Sequence, residues 1–162
     1  MKKQDWISPA AAAGIAALDQ GCKAAARKKL RPGQSRRTGR GAIRVTFRNS
    51  ANSGAAMNLL DRYPEMVKNL SIGLTGTVAG ASAAVFAGHV SLPAAGRTGF
   101  ALLLGGALSN TLDRVTRGYV TDYISFDFGP EKFRDIAFNL GDFAIAAGTV
   151  LLALTAARCP ED

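Results

Sequence analysis

Residues Gly105–Asp142 read GGALSNTLDRVTRGYVTDYISFDFGPEKFRDIAFNLGD. The order of residue types here decides the fold. An apolar run closes on Asn110, Asp113 and Arg114, a short loop carries Asp122, and a second apolar run opens with Asn139 and Asp142. Carboxylates and carboxamides at the mouths of membrane-length segments are costly, so they are functional candidates by default. Two aspartates brought together there can share one proton and activate a water, and Asp122 and Asp142 are expected to form such a dyad.

Outward from that stretch, charge is segregated along the chain. The 162 residues are 48% hydrophobic with 18 glycines, yet mean hydropathy is only +0.08. The mean hides a basic region at 23–68 and two nearly uncharged ones at 69–112 and 136–157. That pattern reads as a single integral membrane domain over 1–162, with spans at about 6–26, 69–92, 94–115 and 136–157. The fold class expected is an all-α membrane protein of four transmembrane helices with a small extracytoplasmic β-rich loop region. Two segments, Ala42–Phe47 and YVTDYISF around Asp122, alternate apolar and polar like strands.

Within the spans, residue spacing places the polar groups. Asn110, Asp113 and Arg114 lie at i, i+3 and i+4 and share a helix face, as do Asn139 and Asp142. Asp142 sits six residues into its span, about 9 Å along the axis, where water still arrives. Arg114 is expected to pair with Asp113 or to orient a carbonyl. Without further context, Asp113 and Arg114 read as a helix-end charge cluster in preference to a binding pair. Asp19 and Lys23, at i and i+4 in the first span, either form a snorkelling ion pair or brace the site. Asn52, Ser53 and Gly54 mark a turn. Asp127, Glu131, Lys132, Arg134 and Asp135 read as a solvated loop.

Net charge is +8. Anionic lipid is the expected partner of the basic residues rather than nucleic acid, because no aromatics are interleaved with them. Cys22 and Cys159 form no CxxC and His89 is the only histidine, so no metal site, disulfide or cofactor is expected.

Four blocks in order then resemble signal peptidase II, the lipoprotein signal peptidase family of bacteria. LDQGCK (Leu18–Lys23) is similar to its DQ-x-x-K block and NSGAAM (Asn52–Met57) to N-x-G-A-A-F. GGALSNTLDR (Gly105–Arg114) with GYVTDYISF (Gly118–Phe126) is similar to G-N-x-x-D-R and V-x-D-F, and FNLGDFAI (Phe138–Ile145) to F-N-x-A-D-x-x-I. The resemblance implies a membrane aspartyl peptidase of the bacterial cytoplasmic membrane that cuts prolipoproteins before a lipid-modified cysteine and is sensitive to globomycin. It puts the catalytic pair on Asp122 and Asp142 and substrate contacts on Asn110, Asp113, Arg114, Asn139, Asn52 and Gly54. Met57, Gly141 and Phe143 depart from the usual Phe, Ala and Ser. The bulk of Phe143 either narrows the site or faces lipid.

Both termini are expected in the cytoplasm, with the basic segment 27–48 outside, against the positive-inside rule. Two alternatives stand beside the peptidase: a small proton-coupled carrier with Asp142 as relay, and a membrane-anchored basic lipid-binding module.

Overall fold

A computed structural model describes residues 5–38, 45–54, 60–126 and 136–158. Its elements are α1 (Ile7–Lys29), β1 (Ser35–Thr38), β2 (Val45–Asn52), α2 (Pro64–Phe86), α3 (Ala94–Arg117), β3 (Val120–Phe126), β4 (Ala137–Phe138) and α4 (Leu140–Ala156). The fold is mostly helical with one small antiparallel sheet in the order β1-β2-β3-β4.

Local chemistry sets the helix ends. Asp5 Oδ1 accepts from the N–H groups of Ile7 and Ser8, at 3.0 and 3.2 Å, and so satisfies donors the first turn of α1 leaves free. Arg27, Lys28 and Lys29 fill its last turn, where cations suit the helix dipole. The apolar segment expected from residue 69 is helical from Pro64, five residues earlier. Proline is favoured at N1 because its missing N–H is not needed there. That helix closes at Phe86 rather than 92, since Gly88 turns to a φ of +79°. Gly118, at φ +78°, ends α3 and starts the turn into β3. The last helix begins at Leu140 instead of 136, because Ala137 and Phe138 pair with β3.

Helix α3 is the hub, packed by α1, α2 and α4. Small residues allow the approach. A Cβ on Gly106 would run into the Gly141 carbonyl, and one on Gly105 would sit 2.7 Å from the Ala12 carbonyl oxygen. Thr75 and Thr111 share a hydrogen bond of 2.8 Å that ties α2 to α3.

The interior is inverted relative to a water-soluble globule. The largest fully buried side chains are Lys23, Asn139, Thr121, Asp19, Asp113, Ser82, Ser109 and Ser125, all polar. Trp6, Ile7, Leu18, Leu74, Leu112, Val150 and Leu154 are exposed. A small apolar cluster of Ala12, Val85, Phe86 and Ala101 lies toward the other end of the helices. Among the described residues one helix, α2, is long and apolar enough to cross a membrane, and α4 is a shorter apolar helix. In α1 and α3 the charged residues Asp19, Lys23 and Asp113 are buried.

In the sheet, β2 pairs with β3 from Val45↔Phe126 to Phe47↔Ile124 and again from Ser50↔Asp122. Three steps on β2 match two on β3, so one extra residue bulges there and bends the strand. Of the expected strand Ala42–Phe47, residues 45–47 belong to β2 and 42–44 lie outside the described residues. Met57 and the charged residues Asp127–Asp135 also lie outside them.

Candidate active site

Five elements bring the polar residues together: the second half of α1, the end of β2, the second half of α3, β3, and the N-terminus of α4. Asp122 lies on β3, buried, with both oxygens occupied. Asn52 Nδ2, at the end of β2, donates to Oδ2 at 3.0 Å, and Asn139 Nδ2 donates to Oδ1 at 2.7 Å. Asp142 lies in the first turn of α4. Its Oδ1 accepts from Asn110 Nδ2 at 2.9 Å and its Oδ2 from the backbone N–H of Asn139 at 3.0 Å.

Asn139 therefore touches both aspartates. Its side-chain oxygen also accepts from the Asp142 N–H at 3.0 Å, and the two form a reciprocal capping box. The cap fixes the Asn139 amide: with Oδ1 spent on the helix, Nδ2 must point toward Asp122.

Burial, followed by the nearby Asp142 charge, pushes Asp122 up from its ordinary 3.8 to about 6, against the opposing pull of Asn52, Asn139 and Lys23. A carboxyl tuned there can give and take a proton near neutral pH.

Behind the aspartates is a charged lattice. Lys23 Nζ lies 2.7 Å from Asp19 Oδ2 and 3.7 Å from Asp113 Oδ2, and donates to Asn110 Oδ1 at 2.7 Å. Asp19 and Lys23 are both fully buried. This removes the snorkelling alternative and ties the pair to Asn110, which holds Asp142. Asp113 accepts from the Thr121 N–H at 3.0 Å and lies 3.5 Å from Arg117 Nη1. It fixes the start of β3, one residue before Asp122.

Arg114 does not pair with Asp113, as one expectation had it. Its Nη2 donates to the Gly54 carbonyl at 3.0 Å, and its Nε is buried without a hydrogen-bond partner among the described residues. Gly54 in turn donates its N–H to Asn52 Oδ1 at 3.1 Å, so the Asn52–Gly54 turn holds Asn52 toward Asp122. Phe143 packs its ring against Phe126 and Phe138, with centroids 6.2 and 5.8 Å away, and is 39% exposed. Gly141 sits where a Cβ would come 2.9 Å from Asn139 Oδ1.

Residue spacing did not flag Tyr123, Ser109 or Gln20. Ser109 Oγ donates to Asp19 Oδ2 at 2.5 Å, and Gln20 Nε2 donates to the Ser109 carbonyl at 3.0 Å. A usable signal was that Gln20 and Ser109 directly adjoin Asp19 and Asn110. Two open grooves of about 650 and about 360 Å3 lie on apolar flanks, and neither is lined by Asp122 or Asp142.

The family model for signal peptidase (SPase) II matches residues 11–158. The chain belongs to the signal peptidase II family. A lipoprotein signal peptidase of Tolumonas auensis is 30% identical over 119 residues, covering 72% of each chain. Another, from Acinetobacter baylyi, is 51% identical over 61 residues, 38% of this chain and 31% of the relative. Two solved structures of bacterial membrane enzymes share the fold. One has a TM-score of 0.76 at 22% identity, over 100% of this chain and 98% of the other. The second has 0.77 at 23%, over 99% of both. Membership in signal peptidase II favours neither the relay carrier nor the basic lipid module.

Proposed function

We propose that Asp122 and Asp142 are the catalytic pair of this chain and that its substrates are prolipoproteins cut before a lipid-modified cysteine. As a signal peptidase II the chain is an aspartic-type peptidase that removes signal peptides from prolipoproteins. The observation that carries the residue assignment is Asn139, which donates from its side chain to Asp122 and from its backbone to Asp142.

In the reaction, one carboxylate takes a proton from water as the water oxygen attacks the scissile carbonyl carbon. The other carboxyl donates its proton to the carbonyl oxygen. Collapse of the tetrahedral intermediate breaks the C–N bond, and the leaving nitrogen takes up a proton from the pair. Asn110 and Asn139 orient the pair and lie beside it for contacts with the substrate backbone. The Nε of Arg114, without a partner among the described residues, is a donor for a substrate carbonyl. Asp113, Asp19 and Lys23 support the pair from behind, and Asn52 with Gly54 supports it from the loop side.

The polar interior and apolar exterior support four transmembrane helices in one multi-pass domain of the bacterial cytoplasmic membrane. The termini are assigned to the cytoplasm and the sheet to the outer face. Membrane lipid contacts the apolar flanks, and globomycin is expected to inhibit.

Cleavage of a lipid-modified prolipoprotein by purified protein in detergent tests this. Asp122→Asn and Asp142→Asn should each lose nearly all activity, and the double variant should be little worse, since residues acting as a unit are non-additive. Substantial cleavage by either well-folded single variant would sink the assignment.

A further inference from the structure

Tyr123 follows Asp122 on β3, is buried, and makes two hydrogen bonds with one hydroxyl. It donates to Asp19 Oδ1 at 3.0 Å and accepts from the Leu140 N–H at 3.0 Å. Leu140 is the first residue of α4, and its N–H is one of the donors a helix start leaves without an internal partner. Burial pushes the Tyr123 hydroxyl well above its ordinary value, so it keeps its proton for donation to Asp19.

The Leu140 N–H belongs to the planar peptide unit that follows the Asn139 Cα. Holding that N–H fixes rotation about the Asn139 Cα–C bond. Asn139 is the residue bonded to both aspartates. From the other bond, Asp19 leads through Lys23 to Asn110 and so to Asp142. Both routes from one hydroxyl end on the same pair of carboxylates. The V-x-D-F block that this stretch resembles has Phe where Tyr123 stands, so a ring without the hydroxyl is compatible with such a strand.

We propose that Tyr123 is a positioning residue for the reaction, its hydroxyl clamping the start of α4 to Asp19 so that Asn139 stays aimed at both aspartates. This rests on the assignment of Asp122 and Asp142 as the catalytic pair.

The test is Tyr123→Phe in the full chain, purified in detergent, with prolipoprotein cleavage followed across pH and the folded fraction measured alongside. In the variant kcat falls about tenfold, the scale of one lost buried hydrogen bond, while KM changes less than about twofold. Loosening Asn139 weakens its bond to Asp122, a bond that holds the Asp122 proton affinity down, so the limb of the kcat/KM profile that Asp122 sets moves to higher pH. A merely structural hydroxyl would scale the activity with the folded fraction and leave the limb in place.

Leu140→Pro removes the same hydrogen bond from its other end. Proline is accepted at a first helical position, and Asn139 is already extended, as a residue before proline must be. The double variant should be no worse than Tyr123→Phe alone. Wild-type kcat with an unmoved limb, losses that track the folded fraction, or additive losses in the double variant would each overturn the clamp. Asp122→Asn separates the two levels of inference. If it still cleaves, the catalytic assignment fails. If it is inactive while Tyr123→Phe is normal, only the clamp fails.

Discussion

Asp122→Asn should stabilise the protein while abolishing its activity, and the size of the gain should depend on pH. Asp122 is held at about 6 against an ordinary 3.8, chiefly by burial and then by Asp142. A carboxyl whose folded pKa lies above its unfolded one supports the fold fully below the unfolded value. That support is lost as pH rises through the folded value. The interval from 3.8 to about 6 corresponds to roughly 3 kcal/mol at about 1.4 kcal/mol per pH unit. Asparagine has one acceptor oxygen where the carboxylate had two, and Asn52 and Asn139 both donate there. One hydrogen bond is lost, about 1 kcal/mol. Above about pH 7 the variant should therefore be ~2 kcal/mol more stable than its parent, and below about pH 4 equal or ~1 kcal/mol less stable. Thermal unfolding of both proteins in one detergent over that range reads the crossover. A difference that stays constant with pH, or a variant less stable at high pH, would refute the reasoning and the burial cost on which it stands.

Gly106→Ala should force α3 and α4 apart at the Gly141 carbonyl and cost about 1–3 kcal/mol or more in unfolding, whereas Gly14→Ala, with nothing among the described residues near its added methyl, should be tolerated. Lys23→Met leaves Asp19 buried without its ammonium partner and should cost about 3–5 kcal/mol, which Asp19→Asn in the same chain should partly restore; denaturation in detergent measures both. A cysteine at Ser35, with Cys22 and Cys159 replaced by serine, should react with an impermeant thiol reagent in intact cells, and labelling only after lysis would reverse the assigned topology.

Much of this architecture was legible because its signals are local. The i, i+3 spacing of Asn139 and Asp142 put them on one face, and the same spacing makes the capping box that starts α4. Alternation in YVTDYISF marked β3, and Asn52 with Gly54 marked a turn whose hydrogen bond is present. The Asp19–Lys23 spacing gave the pair but not its depth, since a helical pattern says which residues face each other and not what covers them. Arg114 was expected to pair with Asp113 or to orient a carbonyl, but spacing could not say which, since the carbonyl it holds, that of Gly54, lies on a distant loop. Tyr123 was missed for the same reason: its bond to Asp19 joins positions 104 apart. The bulge in β2 comes from pairing with β3 and has no composition signal of its own.

The long reach of these bonds has a consequence in time. Ser109, which donates to Asp19, lies 90 residues further along the chain. At about 5–20 residues per second, synthesis takes roughly 5–20 s to cover that distance. Through that interval α1 exists while its partners on α3 and β3 do not. Asp19 then has one strong partner at hand, Lys23, a single helical turn away. A pair that in the finished molecule is one strand of a wide lattice is, during those seconds, what keeps the carboxylate company. The four-residue spacing lets the first helix wait.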